Sequence, residues 1–349
     1  MFMKKIIHNT IYSLACLAGV FFLAGCDTDI ESVDINEPGI KNQNAALYAD
    51  YLANLRAYKQ SHHKVVFGWL DNSEKLPASQ GQTITAVPDS LDYLVLTSPH
   101  DLTRQELGMM ISLREEKGTK TLYEVSFAKI KASYDEAKEA FLGDKANEGK
   151  LFTSFKDFLV NSVQEQLISN DQYGFDGLVM AFESKYKQYL TDAEKQEVEA
   201  LENIFLGIAK DWKQRHTNKM LVLAGKPQNV KDQSVLALAS YLIVPCQAST
   251  NASDVAYIVN KAAGEGVPTD KFVPWVTTTS LDETDLRTGY WAAAVPAVLG
   301  AAKWVATSHE AYQVAGLAID NLGNNYYNVS FTYPHVRTAI SIINPTVKK

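Results

Sequence analysis

The sequence has 349 residues, of which 46% are hydrophobic and 21% are charged, a composition typical of globular proteins. Its length fits one domain of barrel size or two domains of ordinary size. The formal net charge of −7 gives no electrostatic reason to expect a nucleic-acid partner, because such proteins neutralise phosphates with Lys and Arg.

The first 26 residues have the pattern of a secretory signal peptide over residues 1–25. Lys4 and Lys5 give a basic start, and an apolar run over residues 11–23 closes on the tetrapeptide LAGC. A transmembrane anchor or a core helix is the alternative, but the run is short for a membrane span. The tetrapeptide resembles a bacterial lipobox. This resemblance implies cleavage before Cys26, lipidation of its thiol and attachment to the outer membrane.

Residues 26–44 are predicted to form an acidic, flexible tether. The stretch DTDIESVDINEPG carries five acidic residues, and like charges of this density keep a segment solvated and extended. The tract also resembles the surface-export tags of Bacteroidetes lipoproteins, which implies exposure on the cell surface. A plain tether and a sorting signal both remain open.

From about residue 45, short β-branched or aromatic runs alternate with longer amphipathic runs, which indicates βα units around a parallel sheet. The predicted strands cover residues 64–70, 90–98, 119–127, 174–183, 218–225, 239–247, 270–278 and 311–321. The predicted helices cover residues 103–118, 151–170, 192–216, 253–264, 290–306 and 333–345. This order predicts a single-domain α/β fold, a (β/α)8 TIM barrel over residues 45–349. An open doubly wound sheet also alternates, but it more often has a Gly-rich turn after its first strand, where this chain has FGWLDNSEK.

In barrels of this kind, ligands bind at the C-terminal ends of the strands. That rule selects a set of polar and aromatic side chains as candidate ligand contacts. They are Trp69, Asp71, Glu124, Gln247, Trp275, Asp320 and Asn321, joined by Tyr326 and Tyr327 of the loop GNNYYN. Aromatic rings in such a set suit the apolar faces of sugars. Core packing is an equal alternative for Trp69. The histidines show no metal-ligand spacing, so we predict neither a metal nor a cofactor.

The stretch FDGLVMAFE resembles the fourth-strand signature of glycoside hydrolase family 18, Asp-x-x-Asp-x-Asp-x-Glu. The first acid of that signature falls on Asp176 and its glycine on Gly177. The positions of the two middle acids are occupied by Val179 and Ala181 in this chain, and the position of the glutamate is occupied by Glu183. The resemblance extends over the chain from about residue 45. It implies a barrel that cleaves N-acetylglucosamine linkages, as chitinases and endo-β-N-acetylglucosaminidases do, with Glu183 as general acid.

The same resemblance implies a loss of catalysis. In the family, the acid two residues before the glutamate orients the sugar acetamide and stabilises the positive charge that develops on it. Ala181 offers no hydrogen bond there, and removing such a stabiliser costs about 10²–10³ in rate. Val179 also removes the neighbouring acid. Glu183 is therefore predicted to be a vestigial general acid, and Asp176 is predicted to be structural.

We therefore predict a catalytically inactive, lipid-anchored surface protein that binds glycans containing N-acetylglucosamine and passes them to neighbouring enzymes or an uptake porin. The first alternative is an active endo-β-N-acetylglucosaminidase or chitinase that uses Glu183 and recruits Glu124, Asp320 or Asp71. The second is a scaffold or adhesion component without a glycan site. For Glu183 itself, an ordinary ion pair with Lys185 or Lys226 is also open.

Overall fold

The computed structural model describes residues 44–327 and 331–345. The predicted signal peptide, Cys26 and residues 26–43 of the predicted tether lie outside the described residues, so these assignments remain predictions. By compactness the chain divides into residues 1–50 and 51–349. In the first unit, the described residues are the start of helix α1, which runs over Ala45–Gln60. The second unit holds the rest of α1 and the remaining described elements.

Eight parallel strands form a closed barrel, which confirms the predicted fold. They are β1 (Val65–Leu70), β2 (Tyr93–Leu96), β3 (Lys120–Ser126), β4 (Gly177–Phe182), β5 (Met220–Gly225), β6 (Tyr241–Pro245), β7 (Phe272–Thr277) and β10 (Gly316–Asp320). The barrel closes where β10 pairs with β1, from Val65 opposite Gly316 to Gly68 opposite Ile319. Each of the eight predicted strands contains one of these observed strands, with predicted bounds that extend a few residues too far.

Helices lie between most of the strands. They are α2 (Arg104–Lys117), α3 (Phe127–Gly143), α4 (Phe155–Tyr173), α5 (Asp192–Arg215), α6 (Ser234–Leu238), α7 (Ala252–Ala262), α8 (Ala297–Val305) and α9 (Pro334–Ile343). Among the described residues, no helix is long and apolar enough to cross a membrane.

Two parts of the helix prediction are wrong. The predicted helix over 290–306 begins as an antiparallel hairpin of β8 (Tyr290–Trp291) and β9 (Val295–Pro296), joined by a short 3-10 turn over Ala292–Ala294, and only α8 is α-helical. The left-handed backbone of Ala293, with φ of 60°, interrupts a helix there, and Pro296 has no N–H to donate within one. The prediction also omits α1, α6 and α3, the last of which begins immediately where β3 ends.

The barrel interior contains a column of aromatic rings packed among aliphatic side chains. Phe67 stacks on Tyr93 with 4.4 Å between ring centroids and meets Tyr241 edge-on at 5.4 Å. Nearer the C-terminal ends of the strands, Trp69 stacks on Trp275 at 4.6 Å. Because side chains alternate along a strand, the outward residues form a second apolar layer against the helices.

Gly177 is required by the close approach of two strands. A Cβ at this position would lie 2.3 Å from the backbone oxygen of Met220 in β5, which a side-chain rotation cannot relieve. We expect Gly177→Ala to lower the free energy of unfolding by about 1–3 kcal/mol, measured by urea denaturation. Gly207→Ala in α5 is the control, since no atom lies within 4 Å there and alanine favours the helix by about 0.5–1 kcal/mol. Equal effects of the two substitutions would contradict this account.

His63 and Asp92 form a buried pair, with both side chains 6% exposed and 2.9 Å between Nε2 and Oδ1. The hydrogen bond to Asp92 raises the pKa of His63, so the charged imidazole stabilises the fold. This contribution is complete below the unfolded pKa of about 6.5 and is lost as pH rises through the raised pKa. We expect the stability difference between the wild type and His63→Gln to shrink across that range in unfolding curves. Exposed His62, changed to Gln, is the control, and a difference independent of pH would refute the assignment.

Candidate functional site

A cavity of about 780 Å³ opens at the C-terminal ends of the barrel strands. The stacked rings of Trp69 and Trp275 contribute to its wall and form the upper end of the aromatic column. The remaining lining residues are Thr97, Glu124, Ser126, Phe127, Ala128, Lys129, Lys131, Ala181, Phe182, Glu183, Ala224, Pro245, Gln247 and Asp320. This volume lies within the range of small-molecule sites, and its mixture of rings and polar groups suits a ligand with both kinds of surface.

Six of the residues predicted from strand ends line this one cavity. They are Trp69, Glu124, Glu183, Gln247, Trp275 and Asp320. They come from six barrel strands or the residues soon after them, so the closure of the barrel brings together positions up to about 250 residues apart in sequence.

The other four predicted contacts do not line the cavity. Asp71 accepts hydrogen bonds from the Ser73 amide and, at 3.4 Å, from the Thr97 hydroxyl. Asn321 donates from its side-chain amide to Thr277 Oγ1 at 3.0 Å. Tyr326 and Tyr327 meet edge-on at 5.1 Å, and the Tyr326 hydroxyl donates to Gln80. The contact of these four residues with a sugar therefore stays a prediction, and it would have to occur outside the cavity.

Glu124 is the carboxylate most firmly held in the cavity wall, with 8% of the residue exposed. Its Oε2 accepts a hydrogen bond of 2.6 Å from Trp69 Nε1, and its Oε1 lies 2.9 Å from Lys129 Nζ. Both oxygens are therefore engaged, and they fix the orientation of the Trp69 ring. The same contacts mean that Trp69 acts at once as core and as cavity wall.

Asp320 has a different environment at the end of β10. Its Oδ1 accepts a hydrogen bond of 2.9 Å from the Asn321 amide. Burial raises the pKa of Asp320, and the nearby negative charge of Glu124 raises it further. Asp320 is therefore a cavity carboxyl that keeps its proton to higher pH than an exposed aspartate does.

The fourth strand places Val179, Ala181 and Glu183 on one face, as the alternation of a strand requires. Val179 is fully buried in the barrel interior, and Ala181 and Glu183 line the cavity. Glu183 is 60% exposed on its side chain, and its Oε2 lies 2.8 Å from Lys226 Nζ. Of the two lysines considered as partners, the structure pairs Glu183 with Lys226.

Asp176 stands at the opposite end of β4 and does not line the cavity. Its carboxylate accepts from the Thr121 amide at 2.9 Å and forms an ion pair with Arg114 at 3.0 Å. These are the contacts of a carboxylate that joins β3, β4 and α2, as a structural role requires.

The contribution of α3 to the site is not among the features predicted from the sequence. Phe127, Ala128, Lys129 and Lys131 lie in its first turns, and Ser126 caps the helix by accepting from the Lys129 amide. The amphipathic pattern of the stretch FAKIKASYDEAKEAF predicts this helix. In the described part of the chain, no group of three or more His, Cys, Asp or Glu side chains is arranged to hold a metal ion.

The barrel and its cavity define a protein of the TIM-barrel class, with the cavity at the C-terminal ends of the strands, where barrels of this class bind their ligands. Residues 28–342 match the family model described as "Glycoside hydrolase family 18, BT1044-like". The chain therefore belongs to glycoside hydrolase family 18, and the resemblance noted in β4 is confirmed at the level of the family. No curated protein matches the chain.

Solved structures agree with this fold. A form of BT1044 is 17% identical with a TM-score of 0.60, and the match covers 87% of this chain and 95% of that one. The endo-β-N-acetylglucosaminidase of Cordyceps militaris is 14% identical with a TM-score of 0.58, covering 85% and 96%. A variant of that enzyme in complex with fucosyl-N-acetylglucosamine-Asn is 13% identical with a TM-score of 0.57, covering 84% and 95%. At these identities the likeness establishes the fold alone.

The two cavity glutamates should differ sharply in their contribution to stability. Glu124→Ala leaves the buried Trp69 N–H without its acceptor, which we expect to cost about 1–3 kcal/mol in urea unfolding and to change tryptophan emission. Glu183→Ala removes an exposed ion pair, so its expected cost is about 0–1 kcal/mol. A loss as large for Glu183→Ala as for Glu124→Ala would contradict the assignment of Glu124 as the anchor of Trp69.

Proposed function

We propose that this family 18 barrel binds glycans that contain N-acetylglucosamine and has lost efficient hydrolysis. The observation that carries the proposal is the cavity face of β4. Ala181 lies in the cavity wall at the position where the family signature has an acid, and buried Val179 replaces the acid before it. An alanine methyl group can neither orient an acetamide nor stabilise a developing positive charge.

The environment of Glu183 supports the same proposal. Its side chain is 60% exposed and lies 2.8 Å from Lys226 Nζ, so the structure gives it no neighbouring acid of β4 with which to share a proton. Binding does not need such a partner, because stacking and hydrogen bonds hold a ground-state sugar without any charge on its ring.

The walls of the cavity support a sugar as the ligand. Trp275 is partly exposed and lies over the better buried Trp69, so it presents an aromatic surface. Gln247 is also partly exposed, and its side-chain amide can both donate and accept hydrogen bonds. The Cordyceps enzyme variant in complex with fucosyl-N-acetylglucosamine-Asn supplies a suitable first probe.

The location of the protein also belongs to this proposal. The LAGC sequence and the acidic stretch after it support a lipid anchor on Cys26 and a position on the outer surface of the outer membrane. A surface position suits a protein that captures glycans and passes them to neighbouring enzymes or an uptake porin. Radiolabelled palmitate incorporated into the wild type and absent from Cys26→Ala would support the anchor.

The function is tested by calorimetry of the lipid-free domain with fucosyl-N-acetylglucosamine-Asn and with chitotriose. We expect micromolar binding of at least one probe and no released sugar on prolonged incubation. Trp275→Ala should weaken binding about tenfold, because the loss of one stacking contact of about 1.4 kcal/mol corresponds to that factor. Gln247→Ala should weaken it less.

The matched control is Tyr257→Ala, an exposed tyrosine on α7 that does not line the cavity. Its affinity should equal that of the wild type. Cleavage of an N-acetylglucosamine linkage at an ordinary enzymatic rate would overturn the loss of hydrolysis. The absence of heat with every glycan tested would favour a scaffold or adhesion component instead.

A second candidate, an active endo-glycosidase, is favoured by one observation. Asp320 lines the cavity and has a raised pKa because of its burial, which is the state a proton donor needs. If slow hydrolysis occurs, this candidate requires that Asp320→Asn abolish it. Residual cleavage lost in Glu183→Gln and retained in Asp320→Asn would instead assign the acid to Glu183.

A further inference from the structure

A second cavity, of about 490 Å³, lies at the N-terminal ends of the barrel strands. Its wall is formed by residues 62–64 before β1, Tyr241 at the start of β6, Asp270 before β7, residues 312–315 before β10 and residues 306–309 after α8. Among the described residues, it shares none with the cavity at the C-terminal ends. This end of a TIM barrel ordinarily serves stability, so a cavity of the size of a small-molecule site calls for an explanation there.

The wall of this N-terminal cavity contains aromatic rings that are held in place. Tyr241 meets Phe67 edge-on at 5.4 Å, so one ring both lines the cavity and belongs to the aromatic column of the barrel. Tyr312 is buried, and the ring of His309 stacks on it at 5.3 Å with an angle of 20°. His309 also lies 4.2 Å from the ring of Trp304. These rings give the cavity a fixed apolar surface that can contact the body of an organic ligand.

Lys64 supplies an ammonium group to the same wall, and its backbone is clamped. The Lys64 amide donates to Asn344 Oδ1 at 3.0 Å, and the Asn344 side-chain amide donates to the Lys64 carbonyl at 2.7 Å. The ammonium donates to the Val314 carbonyl at 2.7 Å, which leaves two of its three hydrogens for other acceptors. In the part of the chain that the structure describes, no carboxylate forms an ion pair with Lys64.

The environment of this ammonium group favours a bound anion. Burial lowers the pKa of Lys64, because the charged ammonium loses water. Burial also lowers the pKa of His309, the hydrogen bond to the Trp304 carbonyl opposes that shift, and the nearby positive charge of Lys64 adds to it. A positive potential therefore extends over the part of the wall that Lys64 and His309 form. An anion beside Lys64 replaces the lost water and stabilises the charged ammonium.

The other charged groups of the wall favour an anion with a single charge. His63 is paired with buried Asp92, so these two groups largely cancel. Asp270 is exposed, and its carboxylate does not contribute to the pKa of Lys64 or of His309. Among the described residues of the wall, one ammonium therefore stays uncompensated. It balances one negative charge, whereas the second charge of a phosphate would lose water without gaining a partner.

We propose that the N-terminal cavity is a second ligand site, which binds a small monovalent carboxylate with an apolar or aromatic body. The ammonium of Lys64 binds the carboxylate through charge-assisted hydrogen bonds, and the rings of Tyr241 and Tyr312 contact the body. The site is separate from the proposed glycan site, because the two cavities open at opposite ends of the barrel. A carboxylate that binds only the folded barrel also stabilises it against unfolding.

The test uses benzoate and benzamide as probes, which share a ring and differ in the charged group. By calorimetry at constant ionic strength, we expect benzoate to bind about tenfold more tightly than benzamide and to raise the melting temperature. Lys64→Met keeps an unbranched side chain of similar length and removes the charge, so it should weaken benzoate binding about tenfold. Lys64→Arg keeps the charge and should retain most of the affinity.

The matched control is Lys129→Met, which removes an ammonium group from the wall of the other cavity and should leave benzoate binding unchanged. An unchanged affinity in Lys64→Met, a loss in Lys129→Met, or equal binding of benzoate and benzamide each overturns the second site. None of these outcomes depends on glycan binding, so the proposed function is tested separately. Melting temperatures without ligand show which variants are folded. If Lys64→Met does not fold, the comparison of the two probes and the Lys129→Met control still decide.

Discussion

The interior of a closed eight-stranded barrel has to be filled, and in this protein a column of aromatic rings set among aliphatic side chains fills it. Phe67, Tyr93 and Tyr241 occupy the middle and lower levels, and the Trp69–Trp275 stack occupies the upper one. Such rings cannot move independently, since each packs against the next at close-packed density. The upper surface of this column is also part of the cavity wall, so the packing that closes the core determines the shape of the site.

A consequence is that the polar groups of the site are arranged around the rings. Glu124 fixes Trp69 through its indole N–H and in turn holds Lys129, the residue that α3 brings into the cavity. Asp320 and Glu124 are close enough for the charge of one to act on the other. The more buried carboxyl groups of the cavity wall therefore lie on β3 and β10, while the wall contributed by β4 carries an alanine and an exposed glutamate paired with lysine.

The sequence predicted the strands well because each is a short β-branched or aromatic run covered on both faces. It failed at 290–296, where alanines favour a helix locally but a left-handed residue and a proline form a hairpin. The rule that ligands bind at strand ends correctly selected six cavity residues. The hydrogen-bond partners of these residues, however, depend on the register between neighbouring strands. Phe182 is opposite Gly225, which puts Glu183 beside Lys226 rather than Lys185, and no pattern within one strand carries that information.

The proposed function requires that affinity and catalysis separate in one barrel. Stacking on an aromatic wall and hydrogen bonds to amides stabilise a bound sugar and its transition state alike, so they do not depend on the acids of β4. The acids act only when positive charge develops on the sugar, and at Val179 and Ala181 that stabilisation is missing while the strand keeps its packing. Replacement of these acids by small apolar residues leaves no unpaired buried charge. The barrel can therefore keep its fold and its cavity under the loss of hydrolysis that we propose.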